Sequence, residues 1–198
     1  MDEVDELVRE LKDGNLGDRR RAAVKLGAFR ASTAKALTAL LNALADPDGD
    51  VRHYAGEALR QIGPAAGEVV PMLIKAFTTA APHVRIVAAH ALKKIGPVAV
   101  KAVPALVEGL IDPDAEIRRR AAAALAGIGP PAKKAVPALV RLLSDTDPDL
   151  RWTACHALGA IGSKAAKAVP ALTKAADDEV PDVRRIAQVA IEKVRPTG

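Results

Sequence analysis

Arginine recurs every 33 residues along the whole chain, at Arg19, Arg52, Arg85, Arg118, Arg151 and Arg184. The same register carries Leu7, Leu40, Leu73, Leu106, Leu139 and Leu172. It also carries Ala22, Ala55, Ala88, Ala121, Ala154 and Ala187, and then Leu26, Leu59, Leu92, Leu125, Leu158 and Ile191. Six copies fill the 198 residues with no insertion or deletion. A period of this size points to a stacked array, because one short copy cannot enclose a core and must share one with its neighbours. The expected units are 1–36, 37–69, 70–102, 103–135, 136–168 and 169–198, together one repeat domain over 1–198.

Each copy reads as two helices. In VPALVEGLIDPDAEIRRRAAAALAGIGPPAKKA, Val103, Leu106, Val107 and Leu110 recur at helical spacing, and Pro104 suits a first turn where its missing N–H costs nothing. Asp112-Pro113-Asp114 breaks that helix and supplies capping oxygens for the next. The second helix is expected to bury Ile117, Ala121, Ala124, Leu125 and Ile128, and to end at Gly129-Pro130. Aromatic residues make up only 2% of the chain, so the core must consist of thin layers of Leu, Val, Ile and Ala between closely approaching helices.

The pattern VPxLxxxLxDxDxxVRxxAAxALxxIGP resembles HEAT repeats, particularly the short bacterial kind related to bilin-lyase-type repeats. The resemblance covers all six units and implies an all-α fold, a right-handed α-solenoid or superhelix of HEAT-like helix pairs. It places first helices on the convex side and second helices on the concave side. It also implies a structural ladder in which Asp13, Asp46, Asp112, Asp145 and Asp178 partner the six arginines; Thr79 breaks the series in the third unit. Perfect register, with variation gathered on one face, suits a designed repeat protein as well as a regular natural one.

Fold alone does not set function, so the outward columns carry the argument. At 100° per residue, Val51, Ala55, Ala58, Leu59 and Ile62 face inward, and the columns of positions 53, 56, 57 and 60, flanked by 54 and 61, face out. Position 53 varies through Arg20, His53, Ile86, Arg119, Trp152 and Arg185; position 57 varies through Val24, Glu57, His90, Ala123, His156 and Val189. Trp152 is the only tryptophan, a residue type enriched at binding hot spots. The third unit has no carboxylate, and its Lys75, Arg85, Lys93, Lys94 and Lys101 equal the chain's entire net charge of +5. The expected partner is a protein or peptide held on the concave face by His53, Tyr54, Arg60, Ile86, His90, Lys93, Arg119, Arg120, Trp152 and His156. Ile186 and Val189 in the sixth unit leave open a longer array or a dimer, and the oligomeric state stays unassigned.

Other classes find less support. A basic-groove nucleic-acid binder needs a continuous cationic stripe, which Gly56, Glu57 and Ala123 interrupt, and stacking aromatics, which are scarce. Deoxyhypusine hydroxylase, a HEAT-like enzyme, binds iron through His-Glu pairs; here His53 is followed by Tyr54. The best remaining metal cluster is His53, Glu57 and His90, and no cofactor is expected. Cys155 and His156 diverge by about 100° and form no nucleophile–base pair, so no catalytic residue is assigned. A chromophore-lyase accessory role stays open as the alternative. No apolar run reaches the roughly 18 residues of a membrane span, the acidic N-terminus is not a targeting peptide, and a single cysteine suits the cytoplasm.

Overall fold

The structure, a computed structural model, describes residues 2–29, 34–62, 69–80 and 82–195. Six helix pairs follow one another. They are α1 (Glu3–Asp13) with α2 (Leu16–Ala28), α3 (Ala34–Ala43) with α4 (Gly49–Ile62), and α5 (Val70–Thr79) with α6 (Pro82–Ile95). Then come α7 (Val103–Gly109) with α8 (Ala115–Ile128), α9 (Val136–Leu142) with α10 (Pro148–Ile161), and α11 (Val169–Ala175) with α12 (Pro181–Val194). The second helices stack in order, α2 on α4, α4 on α6, and so on to α12. There is no strand among the described residues.

The fourth unit shows why these residues make these elements. Pro104 lies in the first turn of α7, and Asp114 caps α8 by accepting from the N–H groups of Glu116 and Ile117. Val103, Leu106, Leu110, Ile117, Ala121, Ala124, Leu125 and Ile128 are buried, as the periodicity requires. Gly129 ends α8 at φ 69°, a left-handed conformation that glycine adopts at little cost. The proline does not lead into an open loop. Instead Pro130–Ala135 forms a 3₁₀ segment running straight into α9, and Gly96–Ala102 and Gly162–Ala168 do the same elsewhere.

Small residues set the spacing between second helices. A Cβ on Gly27 would lie 2.7 Å from the Cα of Ala58, and one on Gly127 would lie 2.5 Å from the carbonyl oxygen of Lys93. Close approach is also tuned pairwise. Phe77 fills a core position held by Leu44 and Leu110 in the flanking units, and a Cβ on Gly109 would lie 2.4 Å from its Cζ. The buried side chains form one continuous cluster along the stack.

Polar groups close the loops. The Asp46, Asp112, Asp145 and Asp178 carboxylates each accept the N–H two residues ahead, holding the turn between the paired helices. Across the unit boundary, Arg19 reaches Asp46 with Nε at 2.9 Å and Nη2 at 3.3 Å, and Arg151 reaches Asp178 at 2.8 and 2.9 Å. Arg85 reaches Asp112 at 2.5 Å while its Nε donates to the Phe77 carbonyl. Two implied partnerships are corrected. Arg118 spends Nη1 on the carbonyls of Asp112 and Pro113 and has a buried Nε with no partner, and no bond joins it to Asp145. Asp13 is joined to none of the six arginines, and no ion pair of its carboxylate occurs among the described residues. Arg184, at the other end, binds only its own loop carbonyls, Asp178 and Glu179.

Two outcomes test this account. Leu125→Ala should lower the unfolding free energy by roughly 2–5 kcal/mol, measured in urea, whereas Ile111→Ala, at a site 76% exposed, should change it by less than about 0.5 kcal/mol. The second concerns acid. The Asp48 carboxyl is held at about 2, chiefly by Arg20 and then by the Val51 N–H. Asp178 is lowered chiefly by the Arg151 hydrogen bond. Groups depressed in the folded state stabilise it above their unfolded value of 3.8 and lose that contribution as pH falls through the folded values. Thermal midpoints should therefore drop between pH 3.8 and about 2, and Asp178→Asn should flatten the drop.

Candidate functional site: the second-helix face

Stacking brings the position-53 and position-57 columns side by side along α2, α4, α6, α8, α10 and α12. The position-56 column does not face out as expected. Ala23, Gly56, Ala89, Ala122 and Cys155 are buried, and only Gln188 in the last unit is exposed. The position-60 column is also partly covered, since Gly27, Ala126 and Gly159 are buried. At Gly27, Gly56 and Gly159 the next unit stands close, through Ala58, Lys94 and Ala190, which a single-helix projection omits. The side chains of Arg60 and Ile62 lie outside the described residues.

The predicted residues fall into two groups. His53, Ile86, His90 and Arg120 line a cleft of about 310 Å³ together with Leu44, Gly49, Arg52 and Val87. Trp152 lines a second cleft, of about 390 Å³, between the starts of α10 and α12, with Pro148, Asp149, Val180, Asp182, Val183 and Arg185. Tyr54 is exposed and meets His53 edge-on at 5.7 Å; Lys93 is exposed and lines neither cleft. In the last unit Ile186 is half-buried against the core and Val189 is exposed.

Trp152 is half-buried, not fully outward, and packs partly on the core. One turn on, His156 is exposed and lies flat on the indole, with ring centroids 5.4 Å apart and planes 10° apart. Desolvation, then the charges of Lys93 and Lys193, lower the His156 pKa, so the stack at neutral pH is a neutral imidazole on an indole. His90 is half-buried, and burial, then Lys94, Arg120, Lys93 and His53, lower its pKa as well.

Arg119 and Arg120 were expected to be available for steering a ligand, and the structure corrects this. Arg119 binds the carboxylates of Glu116 and, at 2.9 Å, Asp149, while Arg120 donates to Glu116 at 2.6 Å. The patch between the clefts is therefore largely neutralised. Among the described residues no group of three His, Cys, Asp or Glu side chains is placed to hold a metal, which includes His53, Glu57 and His90. No helix is long and apolar enough to cross a membrane among the described residues.

Other openings lie between first helices. The larger, about 600 Å³, separates α1 from α3 and is walled by Val8, Leu11 and Ala39 with Lys12 and Lys35 at the rim. Another, about 520 Å³, lies between α9 and α11 beside Arg151 and Asp178. Sequence reasoning gave these no weight, because the first-helix columns look like plain core and rim. Arg52 was assigned to the ladder alone, yet it lines the His53 cleft; the break at Thr79 was the signal.

A stack of helix pairs with a shared core, arginine-closed loops and a variable second-helix face is an α-solenoid of helix-pair repeats. The chain belongs to the HEAT-repeat family: residues 37–126 and 103–192 match HEAT repeats. Among solved structures it is similar to an engineered protein, Northeast Structural Genomics Consortium target OR329, at 29% identity and TM-score 0.59, covering 98% of this chain and 97% of that one. A second engineered protein, target OR497, matches at 29% identity and TM-score 0.60, covering 98% of this chain and 58% of the other. A designed armadillo repeat protein in complex with the peptide (KR)4 matches at 22% identity and TM-score 0.61 over 98% and 100% of the two chains, a likeness of fold. No curated protein matches the sequence.

Cys155 offers a direct check on the corrected face. Burial, then the Asp178 charge, pushes its thiol up to about 12. Native protein at pH 7.5 should resist iodoacetamide, with labelling appearing only as the chain unfolds; rapid labelling of the folded form would place the position-56 column outside.

Proposed function

We propose that the chain is a non-catalytic interaction scaffold whose second-helix face, the concave side in the resemblance, binds a protein or peptide. The observation that carries this reading is the Trp152–His156 stack. A half-exposed indole, braced by a neutral imidazole, sits beside a cleft with both apolar and charged walls. Such a ring offers a large contact area at little entropic cost, because its partner already holds it. Trp152 is the apolar anchor; His53, Tyr54, Ile86, His90 and Lys93 contribute further along the face, with Arg60 in the same register.

The designed armadillo neighbour holds a basic peptide. Its ligand's charge does not suit this chain, whose third unit carries no carboxylate. Nucleic acid is the weaker reading, because Arg119 and Arg120 are already bound to Glu116 and Asp149.

Immobilised wild-type chain should retain a partner that Trp152→Ala, shown by its unfolding curve to be folded, binds at least about 30-fold more weakly. The purified partner should also change the fluorescence of the single tryptophan. Equal capture by both forms, with no change in emission, would place the interaction elsewhere.

A further inference from the structure

One inner rung of the arginine ladder, at Arg52, faces no aspartate in the sequence. In Arg19 and Arg151 the Nε and Nη2 edge of the guanidinium takes both oxygens of the aspartate 27 residues ahead, while Nη1 turns back to carbonyls of the arginine's own loop. Arg52 keeps the second half of this arrangement, with Nη1 donating to the carbonyls of Asp46 and Pro47, both at 2.7 Å. The residue 27 positions on is Thr79, whose hydroxyl donates to the Lys75 carbonyl at 2.9 Å. Among the described residues the other edge of Arg52 therefore meets no carboxylate. Arg118 differs, since its unit boundary does contain an aspartate, Asp145.

The Arg52 edge is also open. Arg52 is exposed and borders the cleft of about 310 Å³ with His53, Ile86, Val87, His90 and Arg120, and no Asp or Glu lines that cleft. Gly49, at the start of α4, has no side chain to screen the guanidinium: a Cβ there would stand 3.6 Å from Nη2. Nearby carboxylates are engaged, Glu116 by Arg119 and Arg120 and Asp48 by Arg20. A planar two-donor edge matches a carboxylate, as this chain shows at Asp46 and Asp178. Ile86 and Val87 add an aliphatic wall with no aromatic on which a base would stack.

We infer that this cleft is a site for an acidic peptide segment. A glutamate or aspartate side chain of the bound segment completes the Arg52 rung from outside, taking the place that Asp46 and Asp178 fill within the chain. An aliphatic neighbour of that carboxylate lies against Ile86 and Val87. The inference rests on the scaffold reading for the nature of the ligand, but its site is separate from the Trp152 cleft. It gives Thr79 a role: the residue that leaves the rung open.

The test titrates the full chain with the capped peptide Gly-Leu-Glu-Leu-Gly, its glutamine counterpart and an eight-residue thymidine oligonucleotide, followed by NMR of the histidine imidazoles. The glutamate peptide should shift the His53 and His90 signals and bind about tenfold or more tightly than the glutamine peptide. Thr79→Asp supplies the carboxylate internally, so it should abolish the shifts, while Thr79→Asn should leave them intact. Arg52→Lys, which keeps the charge and loses the planar edge, should weaken binding by a similar factor and covers the case in which Thr79→Asp does not fold. Equal binding of both peptides, undiminished binding to Thr79→Asp, or preference for the oligonucleotide would overturn the inference. Trp152→Ala should not alter the peptide titration; losing the partner but not this peptide supports both readings, and losing neither rejects the Trp152 anchor alone.

Discussion

Each helix pair has more apolar surface than it can bury internally, and the rest of the structure follows from that shortage. The first helices α7, α9 and α11 are only seven residues long, too short to persist in water without tertiary contacts. They are held because 3₁₀ segments lead into them and because the neighbouring unit covers their exposed stripe. The same stacking closes the loops, since an arginine from one unit reaches the turn of the next. It also buries a column of small residues that a lone amphipathic helix would leave in solvent. Stability is thus shared between neighbours.

Electrostatics follow the same neighbour-to-neighbour logic. Arg19, Arg85 and Arg151 tie one unit to the next through carboxylates that already shape the turns, so each aspartate serves local and long-range structure together. Arg20 and Arg119, on the outer face, bind acidic residues at the start of the second helix of the next unit. These pairs hold Arg20 and Arg119, whereas Lys93 and Lys94 make no ion pair among the described residues. Desolvation, with nearby cations, lowers the pKa of half-buried His90 and exposed His156, which favours their neutral imidazoles.

The fold was legible because a strict period states it many times over. The buried residues of the fourth unit, the Asp114 cap and the Gly129 terminator were all readable from one copy. The face was less legible. A wheel projection places residues relative to their own helix pair and omits the neighbour whose Ala58 and Ala190 stand against Gly27 and Gly159. The ladder was readable as a list of partners but not as bonds: Arg118 and Asp145 satisfy the pattern and do not meet, because nothing in residue identity sets where the guanidinium edge points. Arg119 looked available for the same reason, since its partner Asp149 lies 30 residues away in sequence.

Gly109 beneath Phe77 has a consequence for the order of the array. An aromatic ring in the third unit fits only because the fourth unit has no side chain at the facing position; the corresponding residue of the fifth unit is Leu142. The copies share a frame, but they are not exchangeable modules. Moving the fifth unit into the fourth place would drive a leucine into the ring, and moving the third elsewhere would leave a void beside the glycine. This contact works as an address, written in volume instead of charge, that tells one copy which neighbour it belongs beside.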